Sequence, residues 1–107
     1  MTTSTEEEKR KYPRVEFDSN VMFQCAGQEY VLMARNISAG GLQLDPNLEI
    51  SSQTQGAVSI PLQPGHPPLA CRCRVIYSVE GRGIGVEFLD LSDDSRLVLN
   101  NFVRDSD

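Results

Sequence analysis

Leu69-Ala70-Cys71-Arg72-Cys73-Arg74-Val75-Ile76-Tyr77-Ser78-Val79 is the stretch on which the fold turns. Leu69, Cys71, Cys73, Val75, Tyr77 and Val79 share one parity, and Ala70, Arg72, Arg74, Ile76 and Ser78 the other. That two-residue period belongs to a strand and not to a helix. One face is largely apolar; the other carries two arginines. A regular strand puts Arg74 and Tyr77 on opposite faces, so only one of them can meet a given ligand. Glu80-Gly81-Arg82 then supplies a turn, and Ile84, Val86 and Phe88 alternate with Gly83, Gly85 and Glu87 in the next strand. Gly85 within that strand implies a close backbone approach or a barrel bend.

Working back toward the N-terminus, Val15 and Phe17, then Val21, Phe23 and Cys25, alternate in a first strand, with Asp18-Ser19-Asn20 as a bend or bulge. Ala26-Gly27-Gln28 turns the chain into a second strand, Glu29 to Ile37, whose apolar residues occupy both parities. Such a strand is expected to be covered on both faces for part of its length. Ser38-Ala39-Gly40-Gly41 leads into a short strand, Leu42 to Leu44, and the paired glycines suggest a turn with positive φ. A polar loop containing Pro46 follows. Val58, Ile60 and Leu62 then alternate until Pro61 and Pro64-Gly65-His66-Pro67-Pro68 end the strand, which suggests an edge position.

Toward the C-terminus, Ser92 reads as an N-cap with Asp93 and Asp94 in the first turn. Val98, Leu99, Phe102 and Val103 supply an amphipathic face. The chain is therefore expected to be mostly β: a small six-stranded antiparallel β-barrel over about residues 13–90 with one C-terminal α-helix over about 92–104. Residues 1–8, built of Thr, Ser and Glu after the initial Met, read as a flexible acidic tail before a domain spanning 9–107.

A chain of 107 residues has room for one domain and one core. Hydrophobic residues make up 39% and charged residues 23%, and no apolar run approaches the roughly 20 residues of a membrane helix. The start of the chain lacks a basic, then apolar, leader pattern, so the cytoplasm is the expected compartment. A net charge of -5 argues against a partner as long as a nucleic-acid polymer, which demands a broad basic surface. Cys25, Cys71, Cys73 and His66 lack the spacing of a zinc site, and the three thiols read as buried apolar groups. His66 stands among prolines with no nucleophile or carboxylate suggested beside it. Neither catalysis nor a cofactor is expected.

Two polar motifs stand out from this background: Arg10-Lys11-Tyr12-Pro13-Arg14 and Asn36-Ile37-Ser38-Ala39-Gly40-Gly41. Pro13 disfavours helix at Tyr12, so the first motif is extended or turning, with side chains free to wrap around a ligand. Guanidiniums present forked donors to phosphates and to the N7/O6 edge of guanine, and can stack on a base. Asn36 adds an amide, Ser38 a hydroxyl, and Gly41 a backbone without a Cβ in the way. A small anion carrying guanine bases suits this set.

With these motifs the chain resembles the PilZ domain family, bacterial receptors of the second messenger cyclic di-GMP. The family's Arg-x-x-x-Arg is met by Arg10 and Arg14, and its Asp/Asn-x-Ser-x-x-Gly by Asn36, Ser38 and Gly41. Gly83-Ile84-Gly85-Val86-Glu87-Phe88 looks like its Gly-x-Gly-Val-x-Phe strand. The resemblance implies a PilZ-like split barrel with ligand-binding roles for Arg10, Arg14, Asn36, Ser38 and Gly41. It adds Lys9, since an extra basic residue at that place accompanies an intercalated pair of ligands. It also implies a non-enzymatic, monomeric adaptor that orders its N-terminal basic segment on binding and signals in trans to an unidentified protein effector. Its setting would be motility, adhesion or exopolysaccharide control. The rival expectation is a PilZ-like protein-interaction adaptor that does not bind nucleotide. An oligonucleotide-binding barrel is disfavoured by the acidic balance and the absence of an aromatic stacking series.

Overall fold

The computed structural model describes residues 14–45 and 48–106. Among the described residues six strands, β1 (Arg14–Cys25), β2 (Gln28–Ser38), β3 (Gly41–Asp45), β4 (Gln55–Ile60), β5 (Leu69–Val79) and β6 (Gly83–Phe88), precede one helix, α1 (Asp93–Ser106). They close into a barrel in the order β1-β2-β3-β6-β5-β4, every pair antiparallel. The expected fold class is the one observed. The expected tail over residues 1–8 and the segment from Lys9 to Pro13 lie outside the described residues.

Phe23, Ile37, Leu44, Ile60, Val75 and Ile84 fill the interior, one from each strand and all fully buried. Helix α1 contributes Leu99, also fully buried, and Val103, and the ring of Phe102 meets Phe17 edge-on at 5.4 Å. The helix starts where its sequence says it should. The backbone N–H of Ser95 donates to Ser92 Oγ at 3.1 Å, with Asp93 and Asp94 in the first turn. Ser92→Ala is expected to lower stability by about 1 kcal/mol in urea titrations, because a donor of the first turn loses its acceptor. Val98, expected on the apolar face, is instead 43% exposed; the helix buries a narrower stripe centred on Leu99 and Val103.

Closure of the barrel corrects one expectation, outward-facing apolar residues a second and a bulge a third. β4 is not an edge strand: it pairs with β1 on one side and β5 on the other, and Pro61 lies just past its end. β2 is not covered on both faces, for Leu32 and Ala34 are buried whereas Val31 and Met33 are exposed. The mixed parity is that of two apolar residues left on the outer face, and a bulge shifts the phase only further along the strand. Ala34 pairs with Leu44 and Asn36 with Gln43, so Arg35 is an extra residue and the buried phase passes from Ala34 to Ile37. β1 answers with its own irregularity between Glu16 and Ser19, at the position the Asp18-Ser19-Asn20 bend predicts.

The long strand β5 also breaks phase. Val75 pairs with Val86 and Tyr77 with Gly85, two steps against one, which leaves Ile76 as the extra residue. Gly85 lies between the buried side chains of Ile84 and Val86, so its vacant Cβ direction points outward, and the Tyr77 ring lies over it. Tyr77 therefore shares the outer face with Arg74, contrary to the regular alternation. The close approach that Gly85 permits is by an aromatic ring and not by backbone.

Candidate functional site

Cross-strand partners share a face of the sheet, so register decides which motif residues can act together. Arg14 opens β1 directly opposite Ser38, Val15 lies opposite Ile37, and Glu16 opposite Asn36. Val15 and Ile37 point into the core, which sends Arg14, Glu16, Asn36 and Ser38 to the outer face. The second arginine of the first motif and the amide and hydroxyl of the second thus occupy one patch of the β1–β2 ladder. Arg14 is exposed and forms no ion pair among the described residues. Lys9 and Arg10 lie outside the described residues.

Ser38 is buried, and its Oγ accepts from the backbone N–H of Gly40 at 3.2 Å. That bond pins the turn between β2 and β3 by the local chemistry of serine. The turn does not use the paired glycines as expected. Positive φ occurs at Gly27, Gly65, Gly81 and Gly83, but at neither Gly40 nor Gly41. Gly41 is required for another reason: a Cβ there would drive into the carbonyl oxygen of Val86 on β6. Its bare Cα opens space for the neighbouring strand.

Asn36 looks into a polar hollow of about 440 Å³ whose wall also includes Glu16, Asp18, Gln43 and Arg82. Its Nδ2 donates to Gln43 Oε1 at 2.7 Å, and Gln43 Nε2 donates to the backbone carbonyl of Arg82 at 2.6 Å. The Arg82 guanidinium stands 4.8 Å from the centre of the Tyr77 ring, a stacked cation–π contact. Arg35 is matched to Asp45 at the rim. Two further guanidiniums are also engaged, Arg72 with Asp90 at 2.9 Å and Arg74 with Glu87 at 2.5 Å. The hollow therefore offers carboxylate acceptors, while the nearest uncommitted cation on the ladder is Arg14.

The thiols play no part here. Burial pushes Cys73 up to about 12 and Cys71, with a contribution from Asp90, up to about 11, so both stay protonated and pack as apolar groups at neutral pH. His66 is an exposed loop residue beside Leu62 and Pro67, away from the motifs. Gln43 and Arg82 are residues that strand-by-strand reading does not bring to the site, and it sets Tyr77, a candidate from the sequence, on the face opposite Arg74. Gln43 becomes visible only through its pairing with Asn36, Arg82 through the turn it shares with Gly81, and Tyr77 through the phase break at Ile76.

Fold and surface together define a closed six-stranded β-barrel domain with a cluster of polar side chains on its outer wall. The chain belongs to the PilZ domain family, whose pattern it matches over residues 8–105. PilZ domains are receptor and adaptor domains, not enzymes. Among solved structures the chain is similar to the Bacillus subtilis inhibitor of motility MotI/DgrA, with 19% sequence identity and a TM-score of 0.76. The match covers 91% of this chain and 50% of that one, so the chain spans half the length of that protein, and the likeness is one of fold. No curated protein matches the sequence. Among the described residues, no helix is long and apolar enough to cross a membrane.

Proposed function

We propose that the protein is a non-enzymatic cyclic di-GMP receptor and adaptor of the bacterial cytoplasm. The observation that most supports this reading is the β1–β2 register, which sets Arg14 opposite Ser38 and Glu16 opposite Asn36. In this reading the Arg14 guanidinium takes a phosphate through charge-assisted bonds. Asn36 and the carboxylate-lined hollow face a guanine, whose N1–H and N2–H groups are donors in search of acceptors. Ser38 and Gly41 keep the turn in shape beneath the ligand. Lys9 and Arg10 add cations ahead of β1. Phosphates neutralise the mutual repulsion of Lys9, Arg10, Lys11 and Arg14, and binding orders that segment across the barrel surface. The rearranged surface is what a protein effector meets, with the domain acting in trans as a monomer. Likeness to an inhibitor of motility favours a motility component as that effector.

One observation favours recognition of a protein independently of ligand: Met22 and Val31 pair across β1 and β2, and both are exposed, as is Met33. Titration calorimetry of the full chain with cyclic di-GMP, GTP and a short single-stranded RNA separates the readings. The receptor reading predicts a saturable isotherm for cyclic di-GMP alone. Equal binding of GTP or RNA, or no heat with any of the three, contradicts it, and the last result leaves the nucleotide-independent adaptor.

A further inference from the structure

We propose that Gln43 is a positioning residue that sets base selectivity by fixing the side-chain amide of Asn36. The inference rests on the receptor reading above. An asparagine amide is ambiguous, since turning it over exchanges an acceptor for two donors. The ambiguity is resolved here from a fixed end. The backbone carbonyl of Arg82 can only accept, so the group that approaches it at 2.6 Å must be Gln43 Nε2. That orientation aims Gln43 Oε1 at Asn36, and an acceptor so placed must receive Nδ2, at 2.7 Å. Among the described residues, nothing donates to Asn36 Oδ1, which remains as the acceptor that Asn36 offers to the hollow.

Asn36 in this setting does the work of an aspartate toward a base while carrying no charge. A carboxylate at position 36 would confront Gln43 Oε1 acceptor to acceptor, so this chain's asparagine and its Gln43 are matched. The consequence is discrimination between purines. Guanine presents two adjacent donors, N1–H and N2–H, at the positions where adenine has the acceptor N1 and a C2–H, adenine's one donor on that edge being N6–H at the place of guanine O6. An amide held with its oxygen outward favours guanine; an amide free to turn accommodates either base.

The test compares the ratio of Kd values for cyclic di-AMP and cyclic di-GMP in three full-length chains: the parent, Gln43→Leu, and Gln43→Leu combined with Asn36→Asp. Gln43→Leu is expected to narrow the parent's preference for cyclic di-GMP by roughly tenfold, the scale of one base-edge contact. The added Asn36→Asp is expected to restore it, because a carboxylate has no donor face to turn outward. Recovery in the double variant also shows that the barrel is intact. An unchanged ratio in Gln43→Leu, or a narrowed ratio that Asn36→Asp does not recover, overturns the role of Gln43 and leaves the receptor reading standing. Failure of the parent chain to bind cyclic di-GMP overturns both.

Discussion

Arg14→Ala is expected to weaken cyclic di-GMP binding about 30-fold or more in titration calorimetry, while thermal unfolding of the unliganded chain hardly changes. The two halves of that expectation have separate causes. Arg14 is exposed at the first position of β1 and makes no ion pair among the described residues, so its removal leaves no buried partner stranded. With phosphate bound, the same deletion strands an anion against the barrel wall, which is worth about 2 kcal/mol or more, and each 1.4 kcal/mol is about tenfold in affinity. Arg14→Lys is expected to fall between, because it keeps the charge and loses the planar fork. Arg72→Ala is the control. Arg72 is held by Asp90 through both its backbone N–H and its Nε, so its loss should leave the ligand affinity unchanged.

Gly83→Ala is expected to carry the largest stability loss of any single-methyl addition to the barrel, about 3 kcal/mol or more by denaturant titration. Two independent penalties meet at this position. Its φ of +84° lies where an L side chain costs about 1–2 kcal/mol. A Cβ would also strike the carbonyl oxygen of Leu44 on β3 and the carboxylate of Asp45, an overpacking cost of about 1–3 kcal/mol. Gly81 separates the two penalties: its φ is +86° but nothing lies within 4 Å of where a methyl group would stand, so Gly81→Ala should show the backbone penalty alone. Equal losses at the two positions would mean that the β3–β6 seam yields easily and that the contact with Leu44 is of no consequence.

Much of this molecule is legible in its residues, because a strand that buries one face prints that fact locally. The alternation of Leu69, Cys73 and Val75, or of Val21, Phe23 and Cys25, needs no partner to be seen. Bulges are different in kind. The extra residues Arg35 and Ile76 exist only by comparison with β3 and β6, and a single strand does not display its neighbour's register. A regular alternation puts Tyr77 on the inner face because the extra residue Ile76 is hidden from it. Val31 and Met33 mislead in another way, as apolar residues of β2 that suggest burial on a face left exposed. Gly41 shows a related ambiguity: a glycine in a turn suggests positive φ, whereas its actual constraint is the carbonyl of Val86, more than forty positions along the chain. The motif residues Arg14, Asn36 and Ser38 can be named from the chain alone. That Gln43 and Arg82 hold the Asn36 amide cannot, since that relay depends on how β3 lies between β2 and β6.

The central claim is that both motifs act on one ligand at the outer face of the β1–β2 ladder, and backbone amide shifts in an isotope-labelled full chain test it most directly. On addition of cyclic di-GMP the account predicts saturable shifts concentrated at Arg14, Asn36, Ser38 and Gln43, with little change in α1. Saturable shifts centred instead on the apolar hollow between α1 and the loop of His66 and Pro67, with the β1–β2 amides unmoved, would contradict it.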